Sequence, residues 1–154
     1  MLEKEQLIPQ LLQAFPEFQD RWNKHVEHWG EQEAGSYNDM AEFVVFVIED
    51  LYDKRKHEQL ELVFQQMEEF LKACDQEARD VVVLGFFETL QCVASHRPYG
   101  KRAFVRFLGP LSAQAWEELN ALWEGKSSLM DVIREERKSE KRHGRTNWLS
   151  RLFR

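Results

Sequence analysis

The stretch FVVFVIEDLYD, residues 43–53, decides the fold class of this chain. Its first six residues are β-branched or aromatic, a composition that would suit a buried strand. The segment continues into EDLYD without a glycine or a proline, however, and a segment of that length favours a helix. We therefore predict a helix from Ser36 to about Tyr52, started by a weak capping box of Ser36 and Asp39, and keep the strand as the alternative.

The stretch VVVLGFF, residues 81–87, predicts a second buried helix because it is apolar on every side. Gly85 lies in its middle, where a glycine costs about 0.5–1 kcal/mol relative to alanine. Such a cost is usually offset when another backbone approaches closely. We therefore expect a neighbouring helix to pack against Gly85.

Working outward from these two stretches, the few Gly and Pro residues separate about seven helical segments. Besides Ser36 to Tyr52, the segments are Lys4 to Ala14, Pro16 to Gly30, His57 to Cys74, Gln76 to Ser95, which contains residues 81–87 and has Asp75 as its cap, Lys101 to Leu108, a helix that Ser112 caps and Gly125 ends, and a last helix from Ser128. In the second segment, Phe18, Trp22, Val26 and Trp29 form one stripe, which we expect to face the core. The prediction is an all-α, single-domain bundle, with stacked helical hairpins as a variant.

Length and composition exclude several classes of protein. The chain has 154 residues, of which 43% are hydrophobic and 31% charged, as expected for one compact domain. No apolar run approaches the roughly 20 residues that span a bilayer, and the first residues lack the pattern of a secretory signal. With only Cys74 and Cys92, both expected as buried thiols, the sequence predicts a cytoplasmic protein with no membrane partner.

Charge is segregated along the chain. Residues 134–154 carry a net charge of +5, whereas residues 1–133 carry −11. This asymmetry predicts two parts, an acidic helical domain at 1–133 and a basic C-terminal extension at 134–154 with a short terminal helix.

No pattern typical of a catalytic or cofactor site is present. His25, His28 and Glu31 could share a helix face and hold a metal, but a polar helix face is the commoner explanation of this spacing. Gly100 and Lys101 lack the other residues of a phosphate-binding loop. The sequence therefore predicts no enzyme, no metal site and no cofactor.

The acidic residues of the second and third helices are the first candidate binding site. They gather between the end of one helix and the end of the next: Glu31, Glu33, Asp39, Glu42, Glu49, Asp50 and Asp53. Such a field steers basic protein partners to fast association, although an ordinary solubilising surface would look the same.

The C-terminal extension is the second candidate. On a helix, four of its residues would form a narrow apolar edge flanked by arginines: Trp148, Leu149, Leu152 and Phe153. We predict that this edge docks on the acidic part of the chain, on a second copy in a homodimer, or on a partner. Nucleic acid is a less favoured partner because the acidic domain would repel phosphates.

Three stretches carry a family resemblance: IPQLLQAFPEF at 8–18, VVVLGFFETLQ at 81–91 and FLGP at 107–110. They resemble an uncharacterised family of small all-helical bacterial proteins over about residues 5–120. In size and acidity the chain is also similar to immunity proteins of contact-dependent growth inhibition systems. That similarity implies a cognate toxin domain, such as a basic nuclease, as partner. The alternative is an adaptor or regulatory module that uses the C-terminal extension.

Overall fold

The computed structural model describes residues 1–143, apart from the side chains of residues 127–129 and 139–143. Within that range there are seven α-helices and no strand, so the all-α prediction is confirmed. The helices are α1 (Leu7–Ala14), α2 (Gln19–Trp29), α3 (Ser36–Phe46), α4 (His57–Ala73), α5 (Gln76–Asp80), α6 (Thr89–Ser95) and α7 (Pro110–His143).

Shorter helical segments extend or connect these helices. Three are 3₁₀ helices, at Lys4–Gln6, Pro16–Phe18 and Lys101–Phe107. Two are π-helices: Val47–Tyr52 continues α3, and Val81–Glu88 joins α5 to α6. The stretch FVVFVIEDLYD is therefore helical through Tyr52, and the strand alternative is excluded.

The chain divides into two compact units, Met1–Trp116 and Glu117–Arg154, with the boundary inside α7. The first unit has a core rich in phenylalanine. Phe18, Phe43, Phe46, Phe64, Phe86, Phe87 and Phe104 are all fully buried. Their rings meet at close range, with centroids 5.0 Å apart for Phe18 and Phe43.

Helix α3 packs against the π-helix Val81–Glu88 at Gly85. A Cβ atom added at Gly85 would lie 3.1 Å from the Cβ of Met40. The neighbouring helix that the sequence predicts at this glycine is therefore present, and it is α3.

The predicted helix starts have mixed outcomes. Asp75 caps α5 as predicted, since its Oδ1 accepts the N–H of Ala78 at 2.9 Å. The capping box at Ser36 was wrong: Ser36 is already the first residue of α3, and Gly35 precedes it with a φ of 89°. The carboxylate of Asp39 contacts His25 instead.

Helix α7 begins at Pro110, three residues earlier than predicted, and Ser112 is not its cap. The N–H groups of Leu111 and Ser112 donate to the carboxylate of Glu68 on α4, at 2.6 and 3.0 Å. A cap supplied from another helix satisfies the free N–H groups as well as a local side chain does. Glu68 is buried by this contact, although the amphipathic pattern of α4 predicts that it lies on the polar face of the helix.

The break predicted at Gly125 was also wrong, because α7 runs through it to His143. A single interior glycine costs a helix only about 1 kcal/mol, and no proline reinforces it here. The sequence-based domain boundary at 133/134 lies within this helix. Across the described residues, no helix is both long and apolar enough to cross a membrane.

Candidate protein-binding groove

An open groove of about 750 Å³ lies in the first unit, between the N-terminal segment, α2 and the start of α3. Its apolar lining includes Ile8, Leu12, Trp22, Val26, Trp29, Met40 and Val81. Its polar lining includes Lys4, Glu5, His25, Glu31, Glu33 and Asp39. Apolar walls with a few polar groups are typical of binding grooves.

The groove face of α2 differs from the prediction that its apolar stripe faces the core. Phe18 is buried in the 3₁₀ turn before α2, but Trp22 and Trp29 are only half-buried and Val26 is 49% exposed. The inward position belongs to His25, which is 9% exposed. The stripe therefore supplies an apolar groove wall as well as core.

His25 is held between two carboxylates of α3. Its Nε2 lies 2.9 Å from Oδ1 of Asp39, and its Nδ1 lies 3.7 Å from Oε2 of Glu42. A neutral imidazole has one N–H and can donate to only one of them, whereas the imidazolium can serve both. These contacts give the buried ring polar partners, which is why a histidine is tolerated there.

The same histidine positions the two tryptophans. Its ring centroid lies 5.4 Å from that of Trp22 and 6.3 Å from that of Trp29. Trp22 also contacts the core at Phe18, with centroids 6.1 Å apart. His25 therefore contacts two large rings, each of which keeps part of its surface in solvent.

The edge of the groove is negatively charged. Glu31 and Glu33 are exposed in the loop between α2 and α3, and within residues 1–138 no ion pair to either is seen. Gly30 and Gly35 bracket this loop with φ values of 61° and 89°, which other residues rarely adopt. Lys4 does not neutralise the edge, since it pairs with Glu77 at 3.3 Å.

Glu49 and Asp50 lie elsewhere and are neutralised within the molecule. Arg21 donates to Asp50 at 2.6 and 3.2 Å and to Glu49 at 2.7 Å. The hydrogen bond from Arg21 holds the pKa of Asp50 below its usual range. Lys54 and Arg97 approach the same carboxylates at 3.6 and 3.9 Å. These two acids are therefore poor candidates for steering a partner.

Asp53 is exposed and directly follows the π-helix Val47–Tyr52. Burial, helped by the charge of Asp53, raises the pKa of Tyr99, whose ring is tilted against that of Tyr52 with the centroids 4.5 Å apart. The seven predicted acidic residues thus separate into Glu31 and Glu33 at the groove edge, Asp39 and Glu42 around His25, Glu49 and Asp50 around Arg21, and Asp53 alone.

Sequence reasoning missed the groove wall itself. The spacing of Trp22, Val26 and Trp29 indicates one apolar helix face. Such spacing predicts that the face is buried, but it does not predict how much of each side chain stays exposed to solvent. His25 and His28 do not come together as ligands, because His25 faces α3 and His28 is exposed. Among the described residues no three His, Cys, Asp or Glu side chains gather in a way that could hold a metal ion.

The cysteines add no reactive group to the groove. Cys74 is half-buried, and burial raises its pKa to about 11, so it stays a thiol at neutral pH. Cys92 is exposed, contrary to the expectation that both are buried. The predicted tail contacts, Trp148, Leu149, Leu152 and Phe153, lie outside the described residues.

Comparison with known proteins gives a family without a function. No curated protein and no solved structure matches the chain. One family model matches residues 8–124, most of the chain, and its description is a domain of unknown function, DUF7674. This range contains the three stretches that carry the resemblance to an uncharacterised family, and the chain belongs to the DUF7674 family.

Proposed function

We propose that this protein is a non-enzymatic immunity protein that acts in the cytoplasm by binding a basic toxin domain, such as a nuclease, and occluding it. The observation that carries the proposal is the acid-edged groove, with Trp22 and Trp29 half-exposed beside His25. The overall acidity of the chain, with a net charge of −6, and its size support the same function.

The groove has the two features that a protein-binding hot spot needs. Tryptophans dominate binding energy in interfaces because a rigid ring buries a large apolar area at little cost in conformational entropy. Carboxylates at the edge of an interface act mainly on the rate of encounter. We therefore expect Trp22 and Trp29 to supply most of the binding free energy. Glu31 and Glu33 should mainly increase the rate of association with a basic partner.

The matching surface on the partner follows from this chemistry. A segment that fills the groove should present an apolar or aromatic side chain to Trp22, Val26 and Trp29, and Lys or Arg side chains to Glu31 and Glu33. Such a segment on a nuclease would come from its nucleic-acid-binding surface, where basic residues gather. Its capture would block that surface.

The decisive experiment is co-purification with the product of the adjacent upstream gene, together with rescue of cells that express that product. In the purified complex, Trp22→Ala/Trp29→Ala should weaken binding at least about 30-fold, the equivalent of roughly 2 kcal/mol. Glu31→Lys/Glu33→Lys should slow association about tenfold and reduce its dependence on salt.

The matched control is Glu58→Lys/Glu61→Lys, the same change in charge at two exposed positions of α4. It should slow association much less than the reversal at Glu31 and Glu33. Equal effects of the two reversals would show that only overall charge matters. No complex and no rescue would exclude the immunity function for this gene pair.

A further inference from the structure

The first unit has a basic surface, although residues 1–133 are acidic overall. Residues 89–116 contain four Lys or Arg and no Asp or Glu, and residues 54–56 add three more cations. The structure brings these two stretches together. Before the loop at 53–56, the ring centroid of Tyr52 lies 4.8 Å from that of Phe104. After it, His57 accepts a hydrogen bond from Arg106 at 2.9 Å. Both ends of the loop therefore contact the 3₁₀ helix Lys101–Phe107.

Four cations of this surface have no acidic partner: Arg55, Lys56, Arg102 and Arg106. All four are exposed, and within residues 1–138 no ion pair to any of them is seen. Three of them are arginines, whose guanidinium can bind a carboxylate through two parallel hydrogen bonds and which are enriched in protein interfaces. The surface is therefore suited to binding carboxylates.

Arg55 occupies a strained backbone position. Its φ is 59°, and among the described residues it is the only one other than glycine with a positive φ. This conformation costs an arginine stability that it would not cost a glycine. Within residues 1–138, its side chain makes no hydrogen bond or ion pair that would offset the strain. Strain of this kind is typical of positions where a residue serves a function, which here points to a contact outside the chain.

The size of the surface limits what it can bind. The 3₁₀ helix Lys101–Phe107 is about 14 Å long at 2.0 Å per residue, a length that four or five residues of extended chain cover. Exposed carboxylates border the surface: Asp53, Glu58 and Glu61. A long nucleic acid or a flat anionic membrane would meet these like charges, whereas a short acidic segment would not.

An apolar residue among the cations favours a protein segment over a phosphate group. Val105 is 46% exposed and lies between Arg102 and Arg106 in the sequence. An apolar side chain next to the carboxylates of a partner can cover Val105, and this burial adds to the charge attraction. A phosphate group has no apolar part with which to make this contact.

We propose that this basic surface binds a short acidic segment of another protein, with Arg55, Lys56, Arg102 and Arg106 contacting its carboxylates. None of these four residues lines the groove, so the binding does not depend on the proposed immunity function. The protein then has two surfaces of opposite charge, and it can hold a basic partner in the groove and an acidic partner here.

Fluorescence anisotropy with the full chain tests this binding. The probe is a labelled oligoglutamate peptide with a central leucine, which should bind, whereas the same peptide with glutamine in place of glutamate should not. Arg55→Glu/Arg102→Glu should weaken binding of the glutamate peptide at least about tenfold, because two attractions become repulsions. A wild-type chain that does not bind the glutamate peptide would overturn the proposal.

The matched control is Lys72→Glu/Arg79→Glu, the same change in charge elsewhere in the first unit. Lys72 lies about 22 Å along α4 from His57, at 1.5 Å per residue. This variant should change the affinity for the peptide by less than about twofold. An equal loss in the two variants would show that only overall charge matters and would overturn the assignment to this surface.

Competition separates the acidic segment from other anions. A single-stranded oligonucleotide and vesicles containing phosphatidylserine should displace the labelled peptide only at higher anion concentrations than unlabelled oligoglutamate does. If either one displaces the peptide at lower concentrations, the surface binds phosphates in preference to carboxylates and the proposal is wrong.

A substitution that removes the strain separates function from folding. Arg55→Gly should raise the urea concentration at which the chain unfolds, because glycine adopts a φ of 59° without strain. The same variant should weaken peptide binding about threefold, since one cation is lost. A variant that is less stable than the wild type, or that binds the peptide as tightly, would contradict the role of Arg55.

Discussion

Glu68 is the residue that fixes the start of α7. Burial by itself would raise its pKa, but the N–H groups of Leu111 and Ser112 hold the pKa of this carboxyl below its usual range. A pKa depressed on folding stabilises the native state at pH values above the unfolded pKa, and this stability is lost as the pH falls through the folded pKa. The capping contribution is therefore complete at neutral pH.

We predict that Glu68→Gln lowers the free energy of unfolding by about 1–2 kcal/mol at pH 7, because two charge-assisted hydrogen bonds are weakened. Urea denaturation at pH 7 and pH 3 measures this. The difference from wild type should shrink at pH 3, which lies below the ordinary pKa of a glutamate, because the unfolded chain then binds a proton at this carboxyl and part of the stabilisation is lost. The control is Glu69→Gln, the same substitution at the exposed neighbouring residue, which should change the free energy of unfolding by less than about 0.5 kcal/mol. An undiminished effect at pH 3 would contradict the charge-assisted cap.

At the scale of helices, periodicity predicts which segments are helical but not how each one starts. The residue patterns around Phe43, Leu60 and Val82 repeat locally, and length then separates helix from strand. The start of α7 depends on Glu68, more than forty positions away, so no local pattern could reveal it. The same holds for His25, which is buried because Asp39 and Glu42 of α3 contact it.

In the groove, too, the local sequence predicts some features, whereas others depend on tertiary contacts. The acidic residues at its edge were predicted from composition, and Glu31 and Glu33 do line it. That Glu49 and Asp50 are tied to Arg21 depends on the packing of α2 against the π-helix after α3. Tertiary contacts thus decide which charges remain available.

The contact of α3 with Val81–Glu88 gives a prediction for Gly85. Gly85→Ala should lower the free energy of unfolding by about 1 kcal/mol, because its Cβ would lie 3.1 Å from the Cβ of Met40, an atom that side-chain rotation cannot move. Helix propensity alone would give the opposite sign. Gly125→Ala is the matched control, since nothing lies within 4 Å of a Cβ there, and it should be neutral or stabilising. Urea denaturation of both variants measures the difference, and equal shifts would contradict the close approach.

For the whole molecule, charge segregation has a consequence for stability. Residues 1–133 carry −11 and residues 134–154 carry +5. Net charge far from zero destabilises a compact chain through self-repulsion, so we expect the basic extension to offset part of that repulsion. Salt screens such repulsion, with a Debye length of about 10 Å at 0.1 M. We therefore expect the basic extension to reduce the salt dependence of stability.

We predict that replacing Arg145, Arg151 and Arg154 with Gln makes the melting temperature rise more steeply with NaCl than in the wild-type chain. The reason is that the variant retains the acidic charges and loses three cations that offset them. Thermal melts at 20 and 300 mM NaCl measure the slope, with Arg→Lys at the same three positions as the control that keeps the charge. If the Gln and Lys variants show the same slope, the extension does not offset the acidic charge.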